Sequence, residues 1–347
     1  MTAGEWELTQ SRMFPHLDHY QKEGYQALMQ IAENYSGAFL CDGVGLGKTF
    51  IGLMAIERYT QYERKNVALF VPKAAHDPVW GQKLRRFLPD LAGDFGRLLV
   101  YNHTDLQRGN EYPEKLQRVK ERADVIVIDE AHHFRNTGLK ERSRYWQMAD
   151  ICKGKTVLFL TATPVNNSLL DLQHMIELFT GKQPDYFKAA PLGIHSLVGH
   201  FRKLEGALER IVSGQSKDIG IPAEVNEVEA ERVLHDDALF RALVVQRSRA
   251  YVKASQTQHG GSKAIFPVRE APQVVNYDLR ATYGELLDRF EEAFSKQKPL
   301  FSLAVYYPLA YYIGSDPSIT PMDENRQKAV ISLIRICLLY TSPSPRD

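Results

Sequence analysis

The first half of the chain is punctuated by short, unbroken apolar runs at residues 38–41, 67–71, 98–101, 125–128 and 157–160, often β-branched. Strands buried on both faces of a parallel sheet lose the alternation of a half-exposed sheet and read in this continuous way. Between them lie stretches with helical spacing, among them 48–59 and 112–122. Strand and helix taken in turn predict an α/β fold built on a mostly parallel sheet. From about residue 181 to 247 the pattern changes. Residues 195–211 and 223–245 have helical spacing, with Leu197, Phe201, Leu204 and Leu208 on one face and no strand signal between them. A helical insertion is expected there. Residues 266–279 then suit a linker followed by an edge strand, and 282–296 and 322–336 suit further helices. Tyr306, Tyr307, Tyr311 and Tyr312 fall at a near-helical spacing that suits packing.

Composition narrows the classes. With 347 residues, 44% of them hydrophobic, the chain is globular rather than a solvating tail, and its length allows roughly two domains. The 43 basic and 42 acidic residues leave a net charge of +1. That excludes a broad basic surface holding nucleic acid by charge alone, though not a local groove. Cys41, Cys152 and Cys337 are odd in number and lack zinc-ligand spacing, so a reducing, cytoplasmic setting is the expectation. No run approaches the ~18 apolar residues of a membrane span and the first residues show no signal-peptide pattern, so no membrane partner is expected. The last residues, 337–347 (CLLYTSPSPRD), break abruptly from the helical pattern before them. They resemble the in-frame translation of a transposon-based sequencing adapter, and the native sequence is expected to stop near Ile336.

Candidate chemistry gathers where the apolar runs end. DGVGLGKT, residues 42–49, follows one predicted strand and opens a predicted helix, which is the setting a phosphate loop requires. Its members are Asp42, Gly43, Val44, Gly45, Leu46, Gly47, Lys48 and Thr49. Gly45 and Gly47 tolerate the backbone angles that turn successive N–H groups toward phosphate oxygens, and the helix N-terminus adds its positive end. Lys48 would sit between the β- and γ-phosphates of ATP, with the Thr49 hydroxyl on Mg2+. Asp42 stands where the strict pattern has glycine.

VIVIDEAHHFRN, residues 125–136, sets Asp129 and Glu130 at the C-terminal end of a buried strand, where open α/β sheets collect their catalytic groups. Asp129 is placed to hold Mg2+ and Glu130 to act as general base for a water attacking the γ-phosphate. After the strand at 157–160, Thr161 and Thr163 could bond to His132 or to the acidic pair, coupling the two segments.

DGVGLGKT, DEAH (residues 129–132) and TATP (residues 161–164), in this order, resemble motifs I, II and III of superfamily-two helicases, and most closely those of Swi/Snf-type DNA translocases. HYQKEGY (19–25) looks like the upstream Q motif, which implies that Gln21 reads the adenine edge. VPKAAHDPVW (71–80) resembles the motif whose loop contacts a nucleic-acid backbone, with Lys73, Arg135 and Asn136 as candidate contacts. VVQRSRAYV (244–252) is similar to the arginine-rich segment that closes the first lobe, and FPVRE (266–270) to the start of the second. Ala131 and Ala162, where eukaryotic remodelers more often carry glycine, lean toward bacterial or phage members. The resemblance covers about residues 14 to 290.

It implies a P-loop RecA-like lobe and the following organisation: an N-terminal extension (1–13), the ATP-binding lobe (14–182), a helical insertion with the closing segment (183–265), a linker and the start of a second, truncated lobe (266–336), and the adapter-like tail (337–347). The implied activity is ATP hydrolysis, with ATP and Mg2+ as cofactors, coupled to movement on nucleic acid. The nucleic acid expected is double-stranded DNA, and partner subunits are possible. A DEAH-type RNA helicase and a non-enzymatic nucleotide- or DNA-binding switch are the alternatives. With the arginines of the second lobe missing, the chain alone is expected to hydrolyse ATP poorly.

Overall fold

A computed structural model describes residues 1–91, 96–109, 112–138, 143–165, 168–213, 233, 236–259 and the single positions 285, 289 and 309. The chain divides into two compact units, Met1–Pro267 and Val268–Asp347. The expectations for 223–232, 266–279, 322–336, the tyrosine group at 306–312 and the tail lie outside the described residues. So does most of 282–296, where Glu285 and Arg289 are helical and pair at 3.4 Å.

The first unit is a six-stranded parallel sheet flanked by helices. Its strands are β1 (Gly37–Leu40), β2 (Val67–Val71), β3 (Leu98–Asn102), β4 (Val125–Asp129), β5 (Thr156–Leu160) and β6 (Val244–Val245), in the spatial order β3-β2-β4-β5-β1-β6. The five apolar runs are therefore strands, each within a residue of its predicted bounds. Successive side chains of a strand point to opposite faces, and the core divides accordingly. Ala38, Leu40, Leu69, Val127 and Leu158 join one buried cluster, whereas Phe39, Phe70, Ile126, Ile128 and Phe159 join the other. Both faces are covered, which is why the runs show no polar alternation. Phe39 and Phe159 stack across the second face at 4.4 Å. Truncating either to alanine should cost roughly 3–5 kcal/mol.

One face carries α1 (Ala3–Thr9), α2 (His19–Tyr35), α3 (Lys48–Glu57), the short turn α4 (Lys73–Ala75) and α5 (Gln82–Phe87). The other carries α6 (Tyr112–Arg122), α7 (Arg144–Cys152), α8 (Leu170–Thr180), α9 (Leu197–Ser213) and α10 (Ala238–Leu243). The N-terminal residues are tied into the first face. Glu57 accepts hydrogen bonds from the Ser11 hydroxyl (2.6 Å) and the Arg12 and Met13 N–H groups, and Tyr25 donates to Glu7 at 2.6 Å. The helix predicted at 48–59 ends at Glu57 and widens into a π-type turn over Arg58–Tyr62.

Helix α9 forms as its spacing predicts. Leu197 and Phe201 are buried, with Leu204 and Leu208 packed alongside them. The expectation of uninterrupted helix over 223–245 is corrected at its end. Val244 and Val245 leave α10 and pair in parallel with Phe39 and Leu40. Two residues are too few to show a period, and what selects the extended conformation is the open edge of β1, a tertiary cause. The chain continues into α11 (Arg249–His259). Among the described residues, no helix is long and apolar enough to cross a membrane.

Candidate active site

The register across the sheet sets Asp129, Leu160, Leu40 and Val245 in one row, the last residues of β4, β5, β1 and β6. Whatever follows these four strands is thereby gathered along one edge. After β1 comes the phosphate loop, after β4 the acidic pair, after β5 the threonines, and after β6 the segment containing Arg247.

The loop at 42–49 has the backbone its glycines allow. Gly45 and Gly47 take φ of +86° and +82°, and Gly47 caps the N-terminus of α3. A Cβ on Gly45 would meet open space, so its requirement is the backbone angle. One on Gly47 would collide with the Gln21 amide. Lys48 Nζ donates to the carbonyl of Asp42 at 2.9 Å and of Gly43 at 3.5 Å, curling back over the loop. These are partners a phosphate could displace. Val44 lies exposed at the tip, Leu46 is buried, and Thr49 is half-buried in the first turn of α3.

Two loop-associated residues stand in unexpected company. The Asp42 carboxylate, fully buried, accepts from the Arg247 N–H and Nε, both at 3.0 Å on Oδ1, and from Arg247 Nη2 on Oδ2. What Asp42 offers the loop is therefore its backbone carbonyl. Gln21 sits at the start of α2 with its Oε1 accepting from the Asp18 N–H at 3.0 Å. Its Nε2 donates to the Leu46 carbonyl and to the Tyr20 hydroxyl, both at 3.3 Å. Its amide is thus spent on the helix cap and the phosphate loop.

Asp129 is buried at the end of β4. Its Oδ2 accepts from the Trp80 indole N–H at 2.7 Å and its Oδ1 from the Glu130 N–H at 3.1 Å. Burial pushes its carboxyl above the ordinary carboxylate range, against the Trp80 hydrogen bond, which lowers it. Glu130 takes the left-handed conformation (φ +48°), a costly setting for a non-glycine residue, and its side chain is 41% exposed. Its Oε2 lies 3.1 Å from His132 Nδ1, and the same nitrogen lies 3.3 Å from the Thr161 hydroxyl, which in turn accepts from the Thr163 N–H at 3.3 Å. A proton on Nδ1 shared between carboxylate and hydroxyl accounts for both contacts. The bond from Thr161 to His132 anticipated from the sequence is present.

The remaining candidates are dispersed. Lys73 is exposed in α4, Arg135 half-buried and Asn136 exposed beyond the acidic pair. The Arg135 carbonyl bonds to His174 Nδ1 at 2.6 Å. Sequence reasoning missed Trp80 and Arg247 as partners of Asp129 and Asp42. A buried tryptophan needs a partner for its N–H, which was the available hint for Trp80. The motif at 244–252 marks the segment of Arg247, but nothing local ties it to Asp42.

Comparison with known proteins points to the same relatives as the motifs. Residues 15–166 match the family described as type III restriction enzyme, res subunit. An uncharacterized ATP-dependent helicase of Mycoplasma pneumoniae is 28% identical over 173 residues, 45% of this chain and 16% of that protein. The human SWI/SNF-related matrix-associated actin-dependent regulator of chromatin subfamily A member 1 is 27% identical over 192 residues, 50% of this chain and 18% of that protein. Residues 15–166 thus resemble the first lobe of superfamily-two helicases of the Swi/Snf type. The Sulfolobus solfataricus SWI2/SNF2 ATPase core in complex with dsDNA aligns at 19% identity with a TM-score of 0.44, covering 68% of this chain and 46% of that one. The chain thus spans under a fifth of the length of these curated relatives.

The residues present fit a nucleotide and its metal. The glycine-set loop and the displaceable Lys48 suit a triphosphate. Asp129 is a buried carboxylate whose two described donors, Trp80 and the Glu130 N–H, are both uncharged, so a cation beside it would relieve the cost of its burial. Among the described residues no group of three or more His, Cys, Asp or Glu side chains is poised for a metal. Thr49 and Asp129 would therefore leave most of the shell to phosphates and water, as Mg2+ prefers.

Proposed function

We propose that this lobe binds ATP–Mg2+ and, within the full-length protein, hydrolyses it to drive movement along double-stranded DNA. The observation that supports this best is the shared row of strand ends, which gathers Lys48, Asp129, Glu130 and Thr161 along one edge of the sheet. The loop N–H groups and Lys48 hold the β- and γ-phosphates; Thr49 and Asp129 hold Mg2+, which neutralises charge developing on the transferred phosphoryl group. Glu130, half-exposed and oriented by His132, takes the proton of the attacking water. The DEAH segment carries the answer to Thr161 and Thr163 through His132, which makes them the coupling group. Gln21 acts on the adenine side while braced on Leu46, and Lys73, Arg135 and Asn136 face the nucleic-acid backbone. A cytoplasmic setting and partner subunits complete the reading.

The test is phosphate release by the full-length protein with ATP–Mg2+ alone, with duplex DNA and with RNA. Stimulation by duplex DNA that vanishes in Lys48→Ala is the expected result. Stimulation by RNA only would sink the DNA reading, and nucleotide binding without turnover under any condition would leave a switch instead of a motor.

A further inference from the structure

Arg247 lies 205 positions beyond Asp42, yet it holds the first residue of the phosphate loop with three donors. It follows β6 by two residues. The Cys41 N–H donates to the Val245 carbonyl at 2.7 Å, so the ladder hands the chain directly from sheet pairing to side-chain pairing. The guanidinium is buried against the Tyr20 ring at 5.4 Å and against Gly24, where any Cβ would run into it. Its Nη1 is buried without a hydrogen-bond partner among the described residues. An ion pair kept in such a place, with a donor left unsatisfied, is a poor device for stability, since apolar residues of the same volume often do as well. What it supplies is geometry: a rigid fork fixing both oxygens of one carboxylate.

A second contact reaches the other side of the loop. Tyr20 donates its hydroxyl to the Leu46 carbonyl at 3.1 Å, and Tyr20, Leu46 and Val252 form a small apolar cluster of their own. Val252 belongs to α11, which begins two residues after Arg247. The segment leaving the sheet therefore grips the phosphate loop twice, by charge at Asp42 and by packing at Leu46. Lys48 completes the circuit, since its resting partner is the Asp42 carbonyl.

Resting on the assignment of 42–49 as the ATP phosphate loop, we propose that Arg247 is a positioning residue: acting through Asp42, it sets the first turn of the loop, so that phosphate binding and the seating of α11 are one event. Coupling of this kind is reciprocal, and loosening either contact loosens the other.

Amide hydrogen exchange on the nucleotide-free chain tests this without reference to ATP. Arg247→Lys keeps the charge and loses the fork. It is expected to speed exchange at residues 43–47 about tenfold, equivalent to about 1.4 kcal/mol, while β2 exchanges as before. It should also weaken mant-ATP binding about tenfold and abolish the protection that mant-ATP gives α11 in the unsubstituted chain. Unchanged exchange at 43–47 with only a lower Tm would overturn the proposal and leave a plain structural anchor. If Arg247→Lys does not fold, the paired apolar replacement Asp42→Leu with Arg247→Met serves. A folded double variant should bind mant-ATP about tenfold more weakly, and unaltered binding would again overturn the idea. An unsubstituted chain that does not bind mant-ATP would refute the nucleotide assignment, whereas the exchange comparison would still decide the role of Arg247.

Discussion

The two halves of the site are held in opposite ways. Around β1 and β6, the charges of the loop have internal partners: Lys48 lies on the loop carbonyls and Arg247 closes on Asp42. Around β4 and β5 the donors to the buried carboxylate of Asp129 among the described residues are neutral, and Glu130 stands half in solvent in a strained conformation, leaning on His132. The first half is a cradle kept in shape by the protein itself. The second is left undercompensated, which suits the cation and the water of the proposed reaction. Preorganisation on one side and unmet charge on the other is what a phosphoryl-transfer site needs.

Substitutions should therefore divide by side. The largest effect is expected on the acidic half: Glu130→Gln should leave mant-ATP binding intact and lower turnover of the full-length protein by about 10²–10⁴, the usual contribution of a general base. Loss of binding instead would show Glu130 to be part of the cradle and erase the contrast. Lys48→Ala should act the other way, weakening mant-ATP by roughly ten- to a hundredfold, as for the loss of a charge-assisted hydrogen bond of about 1.5–3 kcal/mol. A variant that binds normally and merely turns over slowly would place Lys48 with the catalytic group rather than the binding one.

The same division explains what the sequence made legible. Both halves announce themselves through local rules: glycines before a lysine and a helix, two carboxylates at the end of an apolar strand. The strands follow from continuous burial. The supports of the site do not announce themselves, because they come from far along the chain. Trp80 reaches Asp129 across 49 residues and Arg247 reaches Asp42 across 205. A resemblance to helicase motifs assigns Gln21 to the adenine, but nothing in its own segment announces that its amide also braces Leu46, 25 residues away. Likewise Val244 and Val245 form a strand only because β1 presents an open edge. Residues read from their own segment announce a candidate role, whereas contacts made by a distant partner leave no local signal.

Acid should find the catalytic half first. His103, 3% exposed, packs against His133 at 5.3 Å and Phe134 at 5.0 Å, just beyond the acidic pair. Burial, helped by the charge of His133, pushes it down to about 3. Unfolded, it titrates near its ordinary value of about 6.5. Between those values the unfolded chain binds more protons, so stability is complete above about pH 6.5 and falls as pH drops toward 3. By pH 5 the loss from this one group is about 2 kcal/mol. Urea midpoints at pH 7 and pH 5 should show it, and His103→Gln should flatten the difference. An equal pH slope in the variant would move the sensitivity elsewhere.

The smallest expected effect tests the joint between the segments after β4 and β5. Thr161→Val removes one hydroxyl while preserving shape, so the backbone of the strand end, tied by the Thr161 N–H to the Leu40 carbonyl at 3.1 Å, should stay in place. What goes is the partner of His132 Nδ1 and of the Thr163 N–H. The cost to folding should be about 1 kcal/mol, the net worth of an ordinary hydrogen bond. If the threonines couple the acidic half to the rest of the protein, the consequence lies elsewhere: basal ATP turnover of the full-length protein should change little while its stimulation by duplex DNA falls several-fold. A fall in both by the same factor would mean that Thr161 serves only to hold His132 on Glu130. Parity with the unsubstituted protein would mean that Glu130 alone orients the imidazole, and the half of the site described as undercompensated would then need no neighbour to do its chemistry.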